Sequence, residues 1–354
     1  MKALLITAFV LLSFYFIAIF MPEKPLPKLS DQELRELALS GNMLPVPKDF
    51  KELLKVVDNP ENPLTKDKII LGKKLFFDSR LSVDNTVSCA TCHILEDGGD
   101  DNLPTAIGVK KRENPFHLNS PTVLNAALAK AQFWNGRAKD VEEQAGGPIQ
   151  AHFEMDMTPK NLVKKLSEIE EYQVDFKKVF GELNFENIKK AIGAYERTLL
   201  TRGKYDDFLD GDDDAISKSA KRGMTIFLIK GCKGCHVGMS VGGQSIQKFP
   251  LRHYFEDYLG LVFNPTTTIK RSPFPFENQG GFLGANDNLR FRVPILRNIT
   301  KTAPYFHNGA VKDLKEVVRI MSKYQLGNEF SKDQIDDVVE FLKTLEGSVV
   351  EYSY

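Results

Sequence analysis

Cys89-Ala-Thr-Cys92-His93 and Cys232-Lys-Gly-Cys235-His236 hold all four cysteines of this 354-residue chain. In each stretch two thiols, three positions apart, are followed at once by an imidazole. Cys-x-x-Cys-His is the attachment pattern of a c-type haem. The thiols add across the porphyrin vinyl groups and the adjoining histidine reaches the iron. The alternative is a disulfide or a zinc pair, but zinc usually takes four convergent ligands at finger-like spacing, and these motifs lie far apart. The chain therefore reads as a carrier of two covalent haem c groups, with His93 and His236 as iron ligands.

The sequence around the motifs is mainly helical, with no sustained period-two run that would mark a sheet. Thr158-Pro159 offers a cap and a first-turn proline ahead of the apolar stripe Leu162, Val163, Leu166, Ile169. Ile188, Ile192, Tyr195 and Leu199 mark a second helix. Ser331 and Gln334 make a capping box before Ile335, Val338, Val339 and Leu342. The halves echo each other: Leu71-Gly-Lys-Lys-Leu-Phe-Phe and Lys221-Arg-Gly-Met-Thr-Ile-Phe lead into the two motifs, and apolar helices ending in Thr198-Leu199 and Thr344-Leu345 close them. A duplicated cytochrome c-like unit explains the echo. The expected organisation is an N-terminal helix over 1–21, a linker over 22–45, and two haem domains in tandem over 46–205 and 206–354. The long irregular stretches 97–119 and 237–293 are expected to wrap cofactor or carry function.

Residues 3–20 are almost wholly apolar and follow Lys2. About 18 such residues just cross a bilayer, and no small-x-small cleavage site follows. An uncleaved anchor is the expectation, with a cleaved secretory signal as the alternative. Either route exports the chain to the compartment where c-type haem is attached, the periplasmic side of a bacterial inner membrane. Lys+Arg and Asp+Glu balance at 47 each, so charge gives no reason to expect a nucleic-acid partner.

Six further segments occur in order: Leu71 to Ser82, Ser120 to Asn125, Gln132-Phe-Trp134-Asn-Gly-Arg137, Glu143-Gln144-Ala-Gly-Gly-Pro148, Thr302-Ala-Pro304-Tyr-Phe-His307-Asn-Gly, and Met321-x-x-x-Gln325-Leu-Gly327. Together they resemble a bacterial dihaem cytochrome c peroxidase, over nearly all of the chain after the spacer. The resemblance implies reduction of hydrogen peroxide to water. It makes the first haem the peroxidatic site and the second the high-potential, electron-receiving site with Met321 as its distal ligand. A thioether opposite histidine raises an iron's potential; periodicity alone would read Met321 as a core residue beside Val317, Val318 and Ile320. The resemblance also places Trp134 between the haems as their electronic link. It gives Glu154 and Gln144 the proton-handling work on the distal side of the first haem, and implies a Ca²⁺ held by Asn119 with backbone oxygens of Thr302 and Pro304. His307 is expected to be a structural hydrogen-bonding residue. Members of this family commonly form homodimers. The donor would be a small redox partner, a c-type cytochrome, a cupredoxin or a quinol.

One position departs from the pattern. Many members carry a switchable distal histidine just after an Ile-Gly pair; here Ile107-Gly108 is followed by Val109. Either His117 substitutes as that ligand, or the first haem stays open and needs no reductive activation; the second is the expectation. Two other functions compete. A dihaem electron carrier or redox sensor would close both irons, for example with His117. A dihaem oxygenase acting on a partner's tryptophans would use a tyrosine where Met321 stands, and Tyr324 lies one helical turn away.

Overall fold

The computed structural model describes residues 25–252 and 272–353. The expected anchor, 1–21, lies outside these residues, as does His253. Among the described residues no helix is long and apolar enough to cross a membrane. Residues 31–354 form one compact unit.

Helices dominate. The first half contains α1 (Asp31–Leu39), α2 (Phe50–Val57), α3 (Lys66–Phe76), the single turn α4 (Cys89–Cys92) and α5 (Val141–Gln150). It continues with α6 (Pro159–Ser167), α7 (Glu170–Phe180) and α8 (Phe185–Glu196). After strand β1 (Thr201–Gly203) come α9 (Lys204–Leu209) and α10 (Lys218–Ile229). Strands β2 (Ile246–Lys248) and β3 (Arg290–Arg292) precede α11 (Leu314–Ile320), which runs into a π turn over Met321–Leu326. Helix α12 (Lys332–Thr344) and strand β4 (Gly347–Val349) close the chain. The only ladders among the described residues are two short antiparallel pairs, β1 with β4 and β2 with β3.

Local chemistry sets these boundaries as the sequence leads one to expect. The Thr158 hydroxyl accepts from Asn161 N at 3.2 Å at the start of α6. Ser331 and Gln334 exchange both capping-box bonds at the start of α12. The stretch expected to be linker differs: α1 lies inside it, because Leu34 and Ala38 stand one helical turn apart and both are buried. Lys221 Nζ, on α10, holds Asp31 at 2.8 Å.

Two helix crossings carry the architecture, and each turns on a glycine. Helix α3 packs on α8, and a Cβ on Gly72 would lie 1.9 Å from Ala191 O. Helix α10 packs on α12, and a Cβ on Gly223 would lie 1.8 Å from Asp337 O. Only backbone fits at either point. The first crossing encloses a core of Leu71, Leu75, Leu162, Leu166, Tyr172, Phe176, Ile188 and Ile192. A second core, with Val46, Leu53, Phe76 and Leu200, includes Tyr352 from the chain's end.

The backbone repeats itself more closely than the helix pattern shows. Asn125 and Asn298 both take left-handed φ of 61° and open a three-residue 3-10 turn. Their side-chain amides donate to the same Thr201 Oγ1, at 2.9 and 3.0 Å. Farther on, Phe133 and Phe306 have φ of 66° and 67°, and Asp140 and Asp313 cap α5 and α11. This register sets Trp134 against His307, and Pro148 against Met321.

Candidate active site

Two cavities contain the motif cysteines. The first is lined by Cys89, Cys92 and His93, and also by Gln144, Pro148, Phe153 and Glu154. The second is lined by Cys232, Cys235 and His236, and also by Met321 and Leu342. All four thiols are free, and burial pushes those of Cys92 and Cys232 up to about 12. Uncharged thiols in pairs on a cavity wall, each pair beside an imidazole, fit covalent haem. His93 Nδ1 donates to Gly99 O at 3.0 Å, which leaves Nε2 free for iron. Burial pulls His93 below the usual histidine range, and His236 down to about 4, so both are neutral donors.

The position of Glu154 is built by the turn after α5. Glu154 N donates to Ala151 O at 2.9 Å, and its carbonyl accepts from Val109 N at 2.8 Å. Arg112 clamps the same turn through His152 O and Asp156 Oδ2, at 2.6 and 3.0 Å. Gly108 is obligatory here, since a Cβ would sit 2.1 Å from Phe153 O. Burial raises the Glu154 carboxyl to about 7, against a smaller opposing pull from Arg137. Gln144 comes from α5, whose Asp140 cap accepts from Glu143 N at 2.8 Å.

Val109 is fully buried in the first core and is not part of the cavity wall; the bond from its amide turns the loop inward. His117 stands in neither cavity wall, although its neighbours Phe116 and Leu118 line the first. Among the described residues, His93 is the one histidine on the wall of the first cavity. Met321 lines the second cavity and Tyr324 does not.

Trp134 lines both cavities, as do Asn119, Ser120, Pro121, Thr122 and Arg292. Its indole N–H donates to Asn119 O at 2.8 Å. Its ring meets His307 edge-on, centroids 6.4 Å apart. His307 is buried among Phe274, Phe282 and Phe291 and bonds Asn278 Oδ1 through Nε2 at 2.9 Å. Burial pushes its pKa down to about 3. The Asn119 side chain is buried, its Nδ2 at 2.8 Å from Leu103 O and 3.4 Å from Pro304 O. Thr302 and Pro304 lie on the wall of the second cavity.

Sequence reasoning missed two wall residues. Glu196, at the end of α8, lines the first cavity at 5% exposure, and burial with Glu142 nearby raises its carboxyl to about 8. The signal was available, since Glu196 follows Ile192 by one turn on the apolar face. Arg292 is 4% exposed and lines both cavities; nothing local in Arg290-Phe-Arg292 separates it from a surface cation.

Residues 66–214 match the family described as di-haem cytochrome c peroxidase. The chain is 40% identical over 318 residues to cytochrome c551 peroxidase of Pseudomonas aeruginosa, covering 88% of this chain and 86% of that one. It is 43% identical over 291 residues to cytochrome c551 peroxidase of Nitrosomonas europaea, covering 81% of each. In fold it is similar to the crystal structure of a MauG-like protein associated with microbial copper homeostasis, at TM-score 0.68 and 24% identity, covering 85% of this chain and 95% of that one. Two haem-binding motifs on two cavity walls, with relatives matched over most of their length, establish that this chain belongs to the di-haem cytochrome c peroxidase family.

Proposed function

We propose that the protein reduces hydrogen peroxide to two waters, taking two electrons and two protons per turnover. Electrons from a small redox partner are received at the second cavity and pass by Trp134 to the first. The observation that carries this reading is the pairing of Glu154 and Gln144 on the wall of a cavity whose one histidine, among the described residues, is His93. Haem supplies the redox chemistry when bound. Glu154 takes a proton from the near peroxide oxygen and returns it to the far one, so that water rather than hydroxide leaves. A carboxyl titrating near 7 takes up and returns a proton readily at neutral pH. Gln144 orients the peroxide by hydrogen bonding.

The second site differs in function because Met321 stands where the backbone repeat has Pro148 in the first. The Met321 thioether would serve there as an iron ligand when haem is bound, and the polar pair Gln144 and Glu154 lines the first cavity. Each half is a cytochrome c-like unit, 46–205 and 206–354, a division supported by the paired crossings at Gly72 and Gly223. A Ca²⁺ would be held by the Asn119 side-chain oxygen with the carbonyls of Thr302 and Pro304; Asn119 lines both cavities, and Thr302 and Pro304 line the second. The donor is a small cytochrome, cupredoxin or quinol on the periplasmic side of the membrane, and the working unit is a homodimer. The N-terminal apolar segment delivers the chain there, as an anchor or as a signal.

Replacing Glu154 by Gln tests the reading. Turnover with a reduced cytochrome donor should fall by about 10²–10⁴-fold, the usual contribution of a positioned proton-transfer group, with both haem spectra unchanged. In the parent protein the acid limb of kcat/KM should turn over near 7. Wild-type turnover by Glu154→Gln would overturn the assignment.

A further inference from the structure

Among the described residues Arg292 is a buried cation with no anion beside it. Its side chain is 4% exposed, yet among the described residues it forms no ion pair. Its Nε donates to Phe133 O at 3.3 Å and its backbone N to Trp134 O at 2.8 Å. Its Nη1 is buried without an acceptor. Arg297, five residues on and equally buried, shows what the fold ordinarily provides: a two-pronged pair with Asp206 at 2.7 and 2.8 Å. An unpaired buried charge is heavily penalised unless something neutralises it. The walls of both haem cavities include Arg292, and haem c brings two propionate carboxylates into each. A planar guanidinium fork matches a carboxylate better than any other side chain does.

We propose that Arg292 is a cofactor-binding residue, the counter-ion of a haem propionate at the wall the two cavities share. This rests on the reading of both cavities as haem sites. The two backbone-directed bonds fix the guanidinium beside Trp134, so one residue ties a propionate to the loop that links the haems. A fixed positive charge there favours the reduced iron, because reduction removes one positive charge from its neighbourhood.

The test is spectroelectrochemical titration of the full-length protein carrying both haems, comparing wild type with Arg292→Met and Arg292→Lys. Arg292→Met should lower the midpoint potential of at least one haem, and Arg292→Lys, which keeps the charge, should lie closer to wild type. Two covalent haems in Arg292→Met with both potentials at wild-type values would overturn the proposal. Should Arg292→Met fail to fold, resonance Raman spectra of Arg292→Lys decide, because loss of the fork should shift the propionate-bending bands; unshifted bands overturn it. Fewer than two covalent haems in the wild-type protein would instead sink the two-haem reading itself.

Discussion

Replacing Arg297 by Met should cost about 4 kcal/mol of folding stability, a figure that can be assembled from its contacts. Both side chains of the Arg297–Asp206 pair are fully buried. Removing one member of such a pair strands the other, at about 3–5 kcal/mol. Asp206 keeps its bonds from Val46 N and Gly203 N, at 2.8 and 2.9 Å, which pulls the value toward the lower end. Against this, Met239 O and Thr201 O lose the donors they now have at 2.7 and 3.3 Å; each buried carbonyl left unpaired adds roughly 1 kcal/mol. In a chain of this size such a loss lowers Tm by roughly 5 °C, read by far-UV circular dichroism on protein with both haems attached. The double variant Arg297→Met/Asp206→Asn should recover part of the loss, since it removes the stranded charge and keeps an acceptor for one of the two amides that Asp206 holds. A single variant melting within about 2 °C of wild type would refute the reasoning.

Gly223→Ala should destabilise by about 1–3 kcal/mol or more, as α10 and α12 are forced apart around Asp337 O, and chemical denaturation will measure it. Asp100 is buried, its carboxyl has no side-chain partner among the described residues, and burial, with Asp101 beside it, raises its pKa to about 7. A folded-state pKa above the unfolded value means that stability is full below the unfolded pKa and is lost as pH rises from 3.8 towards about 7. Asp100→Asn should therefore flatten the decline of Tm over that window; an unchanged decline would exclude Asp100 as its source. Because His117 stands off the first cavity wall, EPR of the fully oxidised protein should show a high-spin ferric signal beside the low-spin one, and two low-spin signals would contradict this.

Much of the site was legible in sequence because covalent haem attachment demands a contiguous motif, and because helix caps such as Thr158 and Ser331 are local. What escaped was fixed by tertiary contacts. The helix α1 was passed over as linker, since Leu34 and Ala38 have meaning only against α10. The loop after Ile107 reads as a missing ligand at Val109; the fold adds that this position faces the core, held by the Glu154 carbonyl. Arg292 and Arg297 look alike in an irregular stretch, and only the fold gives one a carboxylate and the other a cavity. The repeat that sets Trp134 against His307 is local by contrast: Asn125 with Asn298, Phe133 with Phe306 and Asp140 with Asp313 are identical pairs at one offset, and it is Trp134 and His307 themselves that differ.

The pairing of β1 with β4 bears on how the molecule is made. Val350 N bonds Leu200 O at 2.9 Å, the Tyr352 hydroxyl bonds Pro47 O at 3.1 Å, and Tyr352 belongs to the core that contains Val46 and Leu53. Were the chain to emerge N-terminus first, Cys89 and Cys92 would be presented for haem attachment before Val350 and Tyr352 could complete that core. Truncation of the final strand should leave a first half that is loaded but unsealed, open to proteases at Pro47 and Leu200.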